Sequence, residues 1–243
     1  MKIGLLVVTH DPTGRYINQF KVHKSFLSSL YDDIYLTVSD RSAETWKEEL
    51  QEAKMVGKII PKLGVAHARR EVVKLGLAGE CDFFHYVDLD RLLTWCTAFP
   101  EELEKTVTKI PDNPFTILGR TERAFMTHPE DWRETEKITN KICSLVLAKE
   151  VDITAGSCSF SRESATYIEK LSKNSMTDAE WPMIIHRIAR KKVAYLECEG
   201  LEYHSEVNNM TISRPEVENW LGILKLAYII SESAVKTGKE LNG

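Results

Sequence analysis

Short apolar runs rich in β-branched residues alternate with helix-forming segments from the third residue onward, and this alternation most restricts the fold. Residues 3–8 are a continuous apolar run closed by Thr9-His10-Asp11-Pro12-Thr13-Gly14, the pattern of a buried parallel strand followed by a loop. A helix over about 16–30 follows, then a strand over 34–38 that ends at Ser39-Asp40-Arg41. Residues 43–56 are rich in helix formers and stop at Gly57, and 58–60 read as a short third strand before Pro61. Gly64 introduces a helix over 65–78 closed by Gly79, and the apolar strand from Phe83 to Val87 comes next. Such a series predicts an α/β fold with a mostly parallel central sheet flanked by helices. Ligands of such sheets sit beyond the carboxyl ends of the strands, which is where Thr9-His10-Asp11, Asp40 and Asp88-Leu89-Asp90 fall.

The two aspartates carry the sharpest chemistry. Residues two apart on a strand share a face, so Asp88 and Asp90 are expected together at one sheet edge. Paired carboxylates attract a hard cation such as Mn2+ or Mg2+, which takes oxygen ligands and keeps positions open for substrate phosphates. The plainer reading is a strand that ends at polar turn residues.

The second half is less regular. Residues 92–105 read as a helix, 115–119 as a strand, and 120–136 as a long polar loop with a helical continuation through 149. Residues 151–160 read as a strand or turn leading into a helix near 163–171. Thr177-Asp178-Ala179-Glu180 has the form of a capping box opening a helix to about 191, and 193–198 is another strand. A second capping box, Ser213-Arg214-Pro215-Glu216, precedes a helix to about Lys236 that stops at Gly238. Its apolar stripe of Val217, Trp220, Leu221, Leu224 and Tyr228 is widened by Ile223, Leu226 and Ile230, so it either packs deeply or meets a second subunit.

At 243 residues the chain suits one large α/β domain. A net charge of -4 leaves no basic surplus for holding nucleic acid. The five cysteines are scattered and lack a C-x-x-C pair, which argues against a disulfide framework or a zinc site and fits a reducing cytoplasm. The first apolar run is shorter than a signal-peptide core and no other run approaches a membrane span, so Asn209-Met210-Thr211 reads as a chance sequon.

In this order the features resemble the GT-A fold of glycosyltransferases, especially the family-2-like enzymes that use nucleotide-sugar donors. The resemblance covers residues 1 to about 205. It rests on Val8-Thr9-His10, Asp40, Gly64-Val65-Ala66-His67-Ala68-Arg69-Arg70 and the D-x-D motif at Asp88 and Asp90. It implies a GT-A-like nucleotide-diphospho-sugar transferase domain over 1–205, with 206–243 as a C-terminal helical extension packed on it. Thr9, His10, Asp11 and Asp40 would cradle the donor nucleoside, with Arg69 and Asp88 also on the donor. Mn2+ or Mg2+ on Asp90, assisted by Asp88 and His204, would bridge the diphosphate. The acceptor would be a small molecule or a glycan. Gly156-Ser157-Cys158-Ser159-Phe160-Ser161-Arg162 is similar to the acceptor-side loop, and Asp178 stands where a catalytic carboxylate is placed, the general base if the enzyme inverts.

Plainer readings stand beside these. Asp178 would be a helix N-terminal residue on the helix dipole, His204 an ordinary hydrogen-bonding histidine, and His67, Arg69 and Arg70 a solvated helix face. Arg91 departs from the pattern: it would pair with a donor phosphate, or neutralise an aspartate and exclude the metal. Arg120, Arg123, His128 and Arg133 would suit an anionic acceptor, offset by Glu122, Glu130, Asp131, Glu134 and Glu136. Two other enzyme classes fit less well. An aspartate-nucleophile phosphatase would carry the aspartates on its first strand, and a nucleotidyltransferase would need a glycine-rich loop where His10-Asp11-Pro12-Thr13-Gly14-Arg15 stands. A GT-A-like protein that binds nucleotide without turnover is the non-enzyme reading.

Overall fold

The computed structural model describes residues 1–50, 55–208 and 215–239. The sequon at 209–211, Ser213-Arg214 and the helical stretch expected across 51–54 lie outside the described residues. The strands are β1 (Ile3–Thr9), β2 (Asp33–Ser39), β3 (Met55–Ile60), β4 (Phe83–Asp88), β5 (Phe115–Arg120), β6 (Ser157–Ser161) and β7 (Val193–Cys198). They form one sheet in the order β3-β2-β1-β4-β6-β5-β7. β6 runs antiparallel to β4 and β5, and the other neighbours are parallel. This reversal matters for the site, because it sets Ser157 beside Val87 and brings Gly156 to the carboxyl end of β4.

Helices cover both faces, as the uninterrupted apolar strands require. On one side α1 (Ile17–Leu30), α4 (Leu89–Ala98) and α5 (Pro100–Thr108) bury Phe20, Trp95 and Leu103. On the other, α3 (Val65–Ala78), α8 (Arg162–Leu171) and α9 (Glu180–Met183), which runs into a π turn over Ile184–Ile188, enclose Phe84, Phe160 and Trp181. Each such fully buried apolar side chain contributes about 1.5–3 kcal/mol of burial. Between β5 and β6 run α6 (Glu122–Met126) and α7 (Glu130–Leu147), and after β7 come α10 (Ser205–Asn208) and α11 (Glu216–Lys236). α11 lies along α7, with Thr139 Oγ1 donating to the Ala227 carbonyl at 3.2 Å.

Several sequence expectations are corrected. Among the described residues, the helix expected over 43–56 is α2 (Thr45–Glu49), and Met55 and Val56 already belong to β3. The helix expected over 92–105 starts at Leu89 and breaks at Phe99, because proline at 100 disfavours a helical conformation before it and opens α5 instead. The polar loop expected over 120–136 is strand end and helix. Arg120 is buried there, donating from Nε to Asp152 at 2.6 Å and from Nη2 to Glu136 at 2.7 Å. Arg123 pairs with Glu199 and Glu202, so the basic character read into this segment is spent internally. The capping box at Thr177 does not form. Glu180 accepts from the Lys173 and Asn174 amides at 2.7 and 2.8 Å. Arg162 is no acceptor-side arginine: it donates to the carbonyls of Cys81 and Leu77, before the amino end of β4.

Candidate active site

Arg69 stands at the centre of the carboxyl edge. It lies in the second turn of α3, whose first residue follows Gly64 at a φ of 99°, a conformation that glycine adopts without penalty. Its buried guanidinium donates from Nη2 to Asp88 Oδ2 at 2.9 Å and from Nη1 to Asp178 Oδ2 at 2.8 Å and Thr177 Oγ1 at 3.0 Å. Burial works against the charge, but Asp178 and then Asp88 outweigh it and push the Arg69 pKa up. The Tyr86 hydroxyl, which burial pushes well above its usual pKa, donates to Asp88 Oδ1. Both Asp88 oxygens are therefore engaged. A Cβ on Gly156, which has a φ of 75°, would come within 2.7 Å of Asp88 Oδ2. Arg69, Tyr86, Gly156 and Asp178 line a small pocket that opens to solvent.

Asp90 has different surroundings. Because α4 begins at Leu89, the strand alternation expected to carry both aspartates stops at Asp88, and Asp90 sits in the first helical turn. Its Oδ2 accepts from Asn208 Nδ2 at 2.9 Å, and Arg91 Nε is 3.9 Å away. Asp88 and Asp90 share no partner among the described residues. His204 is tied to the Asp90 side through Asn208, whose Oδ1 accepts from the His204 amide at 2.7 Å. The His204 ring is paired with Glu202 at 2.5 Å. Burial would raise the Glu202 carboxyl, but His204 and Arg123 bring it below its ordinary value.

A metal has limited protein ligands here. Among the described residues no three His, Cys, Asp or Glu side chains stand close enough to hold one. Asp90 Oδ1 accepts no hydrogen bond among the described residues. A hard cation here would have one or two protein ligands and would need its remaining oxygens from elsewhere. Arg91 is buried beside Asp90, with Nη1 lacking a hydrogen-bond partner among the described residues and the guanidinium 5.8 Å from the Tyr203 ring centre.

The remaining candidates meet at the ends of β1 and β2. His10 Nδ1 is 3.1 Å from Ser39 Oγ, its Nε2 is hydrogen-bonded to Lys62, and burial and then Lys62 lower its pKa. Asp40 is exposed and accepts from the Lys62 amide at 3.0 Å. Thr9 is buried at the end of β1. Asp11 is buried and accepts from the Arg15 and Tyr16 amides and the Trp46 indole, each at 3.0 Å, which braces this loop. Of the other helix candidates, Arg70 donates to the Asn174 carbonyl.

Tyr86, Thr177 and Asn208 were not singled out from sequence. Tyr86 shares the pleat face of Asp88 two residues on and was in principle legible; Asn208 is 118 residues from Asp90 and has no local signal.

No family model matches the chain, and no curated protein sequence does. Solved structures do match in shape. Glucosyl-3-phosphoglycerate synthase from Mycobacterium tuberculosis, in complex with Mn2+, UDP and phosphoglyceric acid, aligns with a TM-score of 0.64 at 12% identity, over 97% of this chain and 79% of that one. The same enzyme with Mn2+, UDP-glucose and glycerol 3-phosphate gives 0.61 at 11% identity, over 96% and 80%. A 4-diphosphocytidyl-2C-methyl-D-erythritol synthase from Anaerococcus prevotii gives 0.52 at 13% identity, over 93% and 98%. With its sheet order and these neighbours together, the chain has a GT-A-like α/β fold.

Proposed function

We propose that this chain is a glycosyltransferase that moves a sugar from a nucleoside-diphosphate sugar to an acceptor hydroxyl with the help of a divalent cation. The observation that carries this reading is the placement of Asp90 at the carboxyl edge of a GT-A-like sheet, one strand away from the Thr9-His10-Asp11 loop and two from Asp40. Those loops take the nucleoside. Asp90, with His204 once released from Glu202, would hold Mn2+ or Mg2+ together with the donor diphosphate. When bound, the cation would stabilise the charge of the departing diphosphate.

Asp88 is assigned no metal contact. It anchors the edge through Arg69 and Tyr86. Asp178, held by Arg69 on the pocket wall, is assigned to removal of the acceptor proton, for which it must come within hydrogen-bond reach of the hydroxyl. Mn2+ in the M. tuberculosis complexes supports the cation, and the phosphoglyceric acid and glycerol 3-phosphate bound in them support a small-molecule acceptor. Nucleotidyl transfer is the weaker reading, because the loop after β1 is braced by buried Asp11 rather than built from glycines that could wrap a triphosphate. Among the described residues no helix is long and apolar enough to cross a membrane. All five cysteines are unpaired, in keeping with a reducing compartment, and we place the protein in the cytoplasm.

The test is a thermal-shift screen against UDP-, GDP-, ADP-, CMP- and dTDP-sugars, each with and without Mn2+. A donor at a hundred times its dissociation constant adds about 2.7 kcal/mol. Metal-dependent stabilisation by one nucleotide class is expected. Stabilisation that ignores the metal would favour a binding protein without turnover, and no response at all would remove the transferase reading.

A further inference from the structure

We infer that Arg91 is a binding residue for the donor: its guanidinium takes oxygens of the diphosphate directly, so that the donor keeps a hold on this edge without the cation. The inference rests on the transferase reading. Arg91 is 8% exposed and is the third residue of α4. Trp95, one turn on and on the same side of the helix, is buried against Gly200, where an added Cβ would come within 1.9 Å of its ring. The helix therefore turns Arg91 toward the chain that follows β7, with Tyr203 beside it. Among the described residues the guanidinium donates no hydrogen bond, and its one carboxylate neighbour is Asp90, whose 3.9 Å is too long for one. Arg69 and Arg120 are as deeply buried, and each sets its fork on two carboxylates. A buried charge without hydrogen-bond partners is costly, so the group that completes Arg91 comes from outside the chain.

The surroundings identify that group as an oxyanion. The first turn of α4 receives no side-chain cap from Asp88, whose two oxygens are held by Arg69 and Tyr86. The positive end of a ten-residue helix thus lies beside a guanidinium with free N–H groups, a combination that suits phosphate oxygens. A tenth of the Arg91 side chain is open to solvent, which gives a ligand access. Asp90 is the carboxylate to which the proposed function brings the donor diphosphate, and a group that comes to Asp90 comes within reach of Arg91. Because Arg91 makes no hydrogen bond to Asp90, it leaves that carboxylate available to a cation instead of neutralising it. An anionic acceptor offers the same chemistry, and the test separates the two.

The probes are inorganic pyrophosphate for the diphosphate and glycerol 3-phosphate for an anionic acceptor, each titrated calorimetrically in EDTA. The wild type is expected to bind pyrophosphate without metal. Arg91→Met should weaken that binding about tenfold or more, Arg91→Lys should weaken it less, and Asp90→Asn should tighten it by removing a repelling charge. Since the guanidinium has no hydrogen-bond partner in the ligand-free protein, Arg91→Met should melt at or above the wild-type temperature. A variant that melts well below it would make Arg91 structural and overturn the inference. Pyrophosphate that does not bind the wild type in EDTA would also overturn it, as would pyrophosphate that binds Arg91→Met as tightly, including the case in which glycerol 3-phosphate binding alone is lost. Each of these leaves the transferase reading standing while the donor screen gives its Mn2+-dependent response, whereas a screen with no response removes both.

Discussion

Removing the Arg69 guanidinium would leave Asp88 and Asp178 without the counter-ion they share. An unpaired charge left in a buried position costs about 3–5 kcal/mol, so Arg69→Met should lower the unfolding free energy by that order in a urea titration. Arg69→Lys should recover only part of it, because one ammonium cannot reproduce the fork that reaches three acceptors. A loss under about 1 kcal/mol for the methionine variant would show that the bridge carries little. Gly156→Ala is expected to disturb the same bridge from the other side, by pushing on Asp88 Oδ2. At this scale the sequence was informative where chemistry is local. It placed Arg69, Asp88 and Asp178 in one site, but could not show that one arginine spans two carboxylates 19 and 109 residues away. It also missed that Leu89 starts a helix, which separates the surroundings of Asp88 from those of Asp90.

Among the elements, α7 closes on a non-glycine residue in the left-handed region, Ala148 at a φ of 52°. A Cβ there costs about 1 kcal/mol, so Ala148→Gly should raise stability by up to that amount, read as a higher urea midpoint with unchanged slope. An unchanged or lower midpoint would mean that the added freedom of the unfolded chain cancels the relief. Strands β1, β2, β4 and β5 and helices α1, α3 and α8 were legible because apolar runs and their punctuation agree. The start of β3 was not: Met55 and Val56 suit helix or strand alone, and only pairing with Ile34 and Tyr35 decides. Nor was the interior of 120–136, since Arg120 reads as a loop residue until Asp152, 32 residues on, neutralises it.

For the molecule as a whole, two buried histidines set a pH limit. Burial holds His85 down to about 3, between Tyr31 and Ser157, and burial followed by Arg120 holds His128 down to about 2. Both are depressed below their ordinary value near 6.5, so the unfolded chain takes up protons that the folded chain refuses. Stability is therefore fully present above about pH 6.5 and falls as the pH drops below it. Glu136, whose carboxyl burial pushes up, acts in the opposite direction as it titrates, so the window for the test opens at about pH 6.5 and extends downward. Urea midpoints across that window should fall for the wild type, with a shallower slope for His128→Gln; equal slopes would contradict the assignment. The proposed function rests metal-dependent nucleotide binding on Asp90 and not on Asp88. Isothermal titration of the nucleoside diphosphate found in the donor screen, with and without Mn2+, tests it on the wild type, Asp90→Asn and Asp88→Asn. Mn2+ is expected to tighten binding to the wild type and to folded Asp88→Asn, and Asp90→Asn to lose the metal effect. An Asp90→Asn protein that still responds to Mn2+ would contradict it.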